Sequence, residues 1–294
     1  MKKYALFHIE GGLGKHVAAT AVAKCIKNNH PDRELLVVCA YPEVFLNLNF
    51  ISKVFRLGNT PYFYQDYIKD QDTLIFKHEP YFTTEHIGKK LPLIENWCKL
   101  YNLDYLGEQP ELVFNVRQLQ HGHRKWQRPR PIMVIQTNGG PLQQDFPYSW
   151  TRDIPYPVAE SLVNFYAKDY HIIQVCRHED NKIPGCEHVT EPMSNMELFS
   201  LLLVSQKRIL IDSCLQHAAA ALNKKSTVLW IGTSPKLFGH DAHDNFTATI
   251  DDNIKLPDSY LFDFSFNGVF HECPLIDFNI FDMDSIIYSV NNQQ

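Results

Sequence analysis

Two stretches of this sequence hold residue types whose spacing suits anion binding and proton transfer. In "RILIDSCLQHAAAALNKKSTVLWIGTSPKLFGH" an apolar run ends in Asp212 and Ser213, and a helical pattern begins at once with Cys214. A strand that feeds a helix directly leaves the first free backbone N–H groups at the carboxyl edge of a sheet, where they attract anions. The Ser213 hydroxyl suits a helix cap and equally suits a phosphate oxygen. His217 lies one turn further, on the helix face that carries Ser213. The next apolar run ends in "GTSP", which sets Gly232, Thr233 and Ser234 beside the first loop. The same spacing also fits a plain use, with Asp212 and Ser213 capping the helix and His217 on the surface.

The second stretch is "HIEGGLGKHVAATAVAKCI", where glycines followed by a lysine suggest a phosphate loop. A triphosphate loop needs two glycines five apart, then Lys and Ser or Thr. Here Ile9 stands five before Gly14, and His16 follows Lys15. The dinucleotide fingerprint fails as well, because Val17 occupies its third glycine position. What remains is a loop carrying Glu10, Lys15 and His16, with His8 just before it. A solvated ion pair between Glu10 and Lys15 is the plain alternative.

These loops are positioned by an alternation of β-rich runs and helical stretches, the pattern of parallel sheets. In the first half "YALFHI", "ELLVVCA", "SKVFRL", "DTLIFK" and "ELVFN" read as strands, with helices over "VAATAVAKCIKNN" and "LPLIENWCKLYNL". The polar, basic "QLQHGHRKWQRPRP" reads as an exposed connection. The alternation then restarts with "PIMVIQT", "HIIQVCR", "RILIDS" and "STVLWIG" as strands, separated by helices. Two such series predict an α/β protein of two Rossmann-like domains with a cleft between them, residues 1–125 and 131–280. A last helix and tail, 281–294, is expected to pack back on the first domain and to end in a frayed "NNQQ".

A chain of 294 residues with 45% hydrophobic and 21% charged residues suits two domains with sizeable cores. A formal net charge of -5 argues against bulk electrostatic binding to nucleic acid or membrane. No apolar run reaches the ~18 residues of a membrane span. The seven cysteines are odd in number and scattered, which fits reduced thiols in a cytoplasm.

With these residues in place, a resemblance can be stated. "DSCLQHAAAAL" followed by "TVLWIGTSPKLFG" is similar to the signature of the heptosyltransferases of glycosyltransferase family 9. The match falls on Asp212, Ser213, Leu215, His217, Ala219 to Leu222, Thr233, Pro235 and Gly239, with Cys214 where the family usually has glycine. "GKHVAATAVAKCI" resembles the family's opening loop and helix at Gly14 and Thr20, with Lys15 where those enzymes carry an aspartate as base. "VIQTNGGPLQQDFPYSWTRDIP" resembles its phosphate-binding strand and loop, with Thr137 and Asn138 as donors. Tyr148 replaces the usual lysine there, and Arg152 is the substitute cation.

The resemblance implies a GT-B fold and a glycosyltransferase using a nucleotide-sugar donor, inverting and independent of metal or other cofactor. The donor would be held by Thr137, Asn138, Arg152, Asp212, Ser213, Cys214, His217 and Thr233. The leaving diphosphate needs a cation, which Lys15 would supply across the cleft. The acceptor needs a base, for which Glu10, His16 and His8 are candidates. The implied acceptor is a glycan or lipopolysaccharide, met in part by the aromatic "TPYFYQDYIKD". Two alternatives stay open: a non-catalytic nucleotide-sugar-binding protein, since the aspartate is lost, and a phage-type transferase acting on a modified DNA base. The DNA reading rests on "HGHRKWQRPR", which has four Lys or Arg, two His and a Trp with no acid. The repeated Cys176-Arg-His178 and Cys186-Glu-His188 spacing invites a zinc reading but misses the usual paired-cysteine form.

Overall fold

The computed structural model describes residues 1–58, 60–88, 90–139, 150–176, 179–189, 193–250, 275 and 278–293. Its ten strands among these residues form two parallel sheets. The first contains β1 (Lys3–Ile9), β2 (Glu34–Cys39), β3 (Lys53–Arg56) and β4 (Asp72–Phe76), in the order β3-β2-β1-β4. The second contains β5 (Ile132–Gln136), β6 (His171–Val175), β7 (Glu187–Val189), β8 (Lys207–Ile211), β9 (Thr227–Trp230) and β10 (Asp244–Thr247), in the order β10-β9-β8-β5-β6-β7. Both orders reverse direction once, between β1 and β4 and between β5 and β8. Those reversals open a crevice at the carboxyl ends of the strands.

The helices are α1 (Leu13–Asn29), α2 (Phe63–Tyr67), α3 (Thr84–Ile87), α4 (Leu93–Leu100), α5 (Val116–Lys125), α6 (Tyr156–Tyr166), α7 (Asn195–Val204), α8 (Cys214–Ala221), α9 (Pro235–Phe238) and α10 (Met283–Asn291). Central strands such as β5, buried at all five positions, need apolar residues on both faces. Helices α1 and α8 are both rich in buried alanine, so their backbones approach closely and they pack on each other. Around that contact one apolar core runs from Phe7, Val22 and Val37 of the first half to Phe199, Leu210 and Trp230 of the second. The two halves therefore share a core.

Four expectations need correction. "ELVFN" forms no strand; Leu112 N–H instead donates to Ala221 O at the end of α8, and Val113 is 44% exposed. The basic connection is the helix α5, started by a capping box between Asn115 and Gln118 and packed on α7. The C-terminal helix does not return to the first sheet. It lies on β8 and β9, with Ile286 and Val290 in the outer core of the second half and Tyr166 donating to Ile287 O. Nor is the tail frayed at Gln293, whose side chain bonds both backbone groups of Arg208 and the Thr227 hydroxyl.

Candidate functional site

At the first crevice Glu10 follows β1 directly, and its side chain is 60% exposed. His8 Nδ1 stands 3.7 Å from its carboxylate. Burial, then the charge of Lys77, lowers the His8 pKa, so this imidazole is neutral beside the glutamate. Lys15 takes a different course from the one expected. Its side chain is 7% exposed and pairs with Glu79, three residues beyond β4, and its Nζ lies 5.2 and 5.3 Å from the ring centres of Tyr81 and Trp97. Burial lowers its pKa against the pull of Glu79. An ammonium held this way inside the first half is already engaged by Glu79.

His16 is excluded as a base by its partners. It is fully buried; Nδ1–H donates to Gly12 O at 2.8 Å, while Nε2 accepts the Ala40 N–H at 3.1 Å. The two partners fix the tautomer and occupy both nitrogens. Burial lowers its pKa in keeping with a neutral structural ring. Gly14 also has a reason unlike the one the sequence suggests. A Cβ there would lie 3.1 Å from Cys214 Cα and 3.1 Å from His217 Cδ2, so the glycine admits α8 and not a ligand.

The second crevice is assembled from the connections after β5, β8 and β9. Gln136, the last residue of β5, donates through Nε2 to the Ser213 hydroxyl at 2.9 Å, joining the ends of β5 and β8 across the reversal. Thr137 and Asn138 follow. The Thr137 hydroxyl accepts from Gln174 at 2.8 Å and donates to Asn138 Oδ1 at 2.9 Å, and Asn138 Nδ2 donates to Asp153 at 3.0 Å. The other Asp153 oxygen accepts the Gly139 N–H at 3.0 Å. Asp153 is completely buried, and this carboxylate fixes the loop after β5. Thr137 and Asn138 thus shape the loop, their side chains being spent on each other and on Asp153 and Gln174.

Asp212 is 7% exposed, and burial raises its pKa, against the charge of Arg152. The charge of Arg152 is thus felt by Asp212 at this edge. Ser213 begins α8 with extended backbone but makes no side-chain cap bond, which leaves the helix N-terminus to other partners. The Cys214 pKa is raised by burial, so the thiol is protonated. Gly232 closes the rim: its N–H donates to Thr151 O at 2.7 Å, and a Cβ would lie 2.9 Å from Thr151 Cβ.

His217 is not a surface residue. Its Nδ1 lies 2.8 Å from His240 Nε2, and His243 Nε2 donates to Gln216 O at 2.9 Å. Burial lowers all three pKa values, that of His217 to about 3. The cluster sits beneath α8, against Gly14, and supports the helix from behind. No group of three or more His, Cys, Asp or Glu among the described residues is arranged to hold a metal ion. His178 lies outside the described residues, as does Tyr148. His188 is bonded to Ile183 O.

Sequence reasoning missed Glu79, Gln136, Asp153, His240 and His243. Glu79 and Asp153 had a signal, an acid just past a strand or beside a named arginine, but their partners are distant in sequence. Neither a family model nor a curated protein matches the chain. Solved structures do match. Glycosyl transferase family 9 from Veillonella parvula aligns with TM-score 0.68 and 10% identity over 98% of this chain and 96% of that one. The chain has the fold of family 9 glycosyltransferases. E. coli ADP-heptose lipopolysaccharide heptosyltransferase II gives 0.61 and 11% over 86% and 91%, and E. coli heptosyltransferase WaaC with ADP gives 0.58 and 12% over 83% and 93%. The chain's two parallel sheets with flanking helices are a GT-B-type architecture, as in these neighbours.

Proposed function

We propose that this protein is a glycosyltransferase that moves a sugar from a nucleotide-sugar to an acceptor hydroxyl, with inversion and without a metal. The observation that carries the reading is the pairing of two unlike crevices: a hydrogen-bonded loop and a helix N-terminus without a side-chain cap at β5 and β8, and an open carboxylate, Glu10, at β1. The donor diphosphate would lie against the N-terminus of α8 with Arg152 beside it, where helix N–H groups and a guanidinium offset its charge. Asp212 and Thr233 would line the same edge.

Glu10 is the base in this reading. It takes the proton of the acceptor hydroxyl as that oxygen bonds to the anomeric carbon; the bond to the diphosphate oxygen breaks, and the diphosphate leaves with the electron pair. The reading gives Lys15 no part in departure of the diphosphate. The acceptor is a sugar hydroxyl of a glycan, in keeping with neighbours named for lipopolysaccharide and ADP-heptose. The DNA reading loses most of its ground, because Lys125 pairs with Glu197 and Arg128 with Glu187, and Trp126 is 3% exposed. Nucleotide release from a panel of nucleotide-sugars, with and without oligosaccharide acceptors, tests the reading. Release by the wild type that is lost in Glu10→Ala supports it. Donor binding without turnover across the panel would instead make the chain a binding protein.

A further inference from the structure

The basic segment that the transfer reaction does not use lines a cavity of about 390 Å³ at the opposite end of the second sheet. Ile132, the first residue of β5, and Gln206, just before β8, form part of its wall, so it lies a strand length, roughly 15 Å, from the second crevice. His123, Arg124, Arg128 and Arg130 line it, and among the described residues no carboxylate does. The three arginines differ in what they have left to give. Arg128 is fully engaged: it forms a two-pronged pair with Glu187, and its remaining nitrogen donates to Lys125 O and Gln127 O at 3.0 Å.

Arg124 and Arg130 are exposed and bond only backbone oxygen among the described residues. Arg124 Nε donates to Gln120 O at 3.3 Å, and Arg130 Nη1 donates to Ala167 O and Lys168 O at 2.7 and 3.1 Å. A carbonyl orients a guanidinium without cancelling its charge, and each keeps further N–H groups for an anion. Gln206 is oriented in the same way, accepting the Ile132 N–H through Oε1 at 2.8 Å and keeping its amide N–H groups. We propose that this cavity is a second anion site, which takes a compact phosphate group between Arg124 and Arg130. Two sources carry that chemistry, a free phosphate compound and the headgroup of an anionic lipid. A nucleic acid is disfavoured, because the Trp126 indole is buried and donates to Glu197 O and to Ser200 Oγ, leaving no ring face for a base to stack on.

The chain has four tryptophans, so the indole N–H region of a ¹⁵N–¹H spectrum holds few signals, and Trp126, assigned through Trp126→Phe, reports on the cavity wall. Inorganic phosphate is expected to move the Trp126 signal in a saturable way, and Arg124→Gln with Arg130→Gln to weaken that response roughly tenfold or more. Arg117→Gln, on the same helix, is the charge control and should leave the response unchanged. Unmoved Trp150 and Trp230 signals in the double variant show that it is folded. Sedimentation with phosphatidylcholine–phosphatidylglycerol vesicles at about 3:1 separates the sources: binding that the double variant loses assigns a lipid headgroup, and phosphate response without vesicle binding assigns a free phosphate. An unmoved Trp126 signal at saturating phosphate, an equal response in the double variant, or a DNA duplex acting where phosphate does not would overturn the proposal.

Discussion

The two crevices are built on opposite principles. The first is charged and partly open: Glu10 meets solvent, and Lys15 and Glu79 form a half-buried ion pair beside it. The second is buried, and in it Asp153, Asn138, Thr137 and Gln174 spend hydrogen bonds on one another to hold a loop. A proton-transfer group must reach its substrate, whereas an anion site works best when its donors are already fixed. The proposed function uses that difference, with chemistry at the first edge and binding at the second.

Substitutions at the two edges should therefore fail in different ways. The largest effect is expected at Glu10, where Glu10→Gln should slow transfer by about a hundredfold or more, the usual span for a lost base. Its unfolding midpoint and donor affinity should stay at the wild-type values, since the side chain is mostly in solvent. Asp153→Ala should act through stability, lowering it by about 3 kcal/mol in urea unfolding, because a buried hydrogen-bonded carboxylate is lost and Asn138 and Gly139 N–H are stranded. If Asp153→Ala left stability intact and Glu10→Gln unfolded the protein, the contrast would be wrong.

At the seam between the halves, Gly14→Val should cost about 2 kcal/mol, since its side chain must push α8 away from α1. The effect that is smallest near neutral pH is in pH dependence. His217 titrates near 3 in the folded protein and near 6.5 in the unfolded chain, so the unfolded chain takes up the proton first. Stability then falls as pH drops from about 6.5 towards 3 and is flat above that window. In His217→Gln the acid limb should be shallower by up to about 1.4 kcal/mol per pH unit, and an unchanged slope would show that this ring is not held neutral.

What the sequence made legible follows from where the deciding partners lie. Apolar runs such as those of β5 and β8 announce themselves because both faces are buried. The loop after β8 and the helix after it were readable for the same local reason. "ELVFN" misled because its apolar residues cover the end of α8 and pair with no strand, and β7 and β10 are too short and polar to read. The capping residues of α5 were present in "NVRQ" but were outweighed by the polar stretch that follows. His16 looked reactive because its partner, the Ala40 N–H, belongs to another strand's end. Lys15 and Glu79 are separated by 64 residues, and only the fold shows that the lysine is already paired.

The central claim is that the donor is held at the second edge and the proton is taken at the first. Calorimetric titration of nucleoside diphosphates into the wild type, Arg152→Ala and Glu10→Gln tests both halves in one comparison. At least one nucleoside diphosphate should bind the wild type and Glu10→Gln alike, and bind Arg152→Ala roughly tenfold more weakly or worse. Equal affinity in Arg152→Ala, or no binding by any nucleoside diphosphate, would contradict the account.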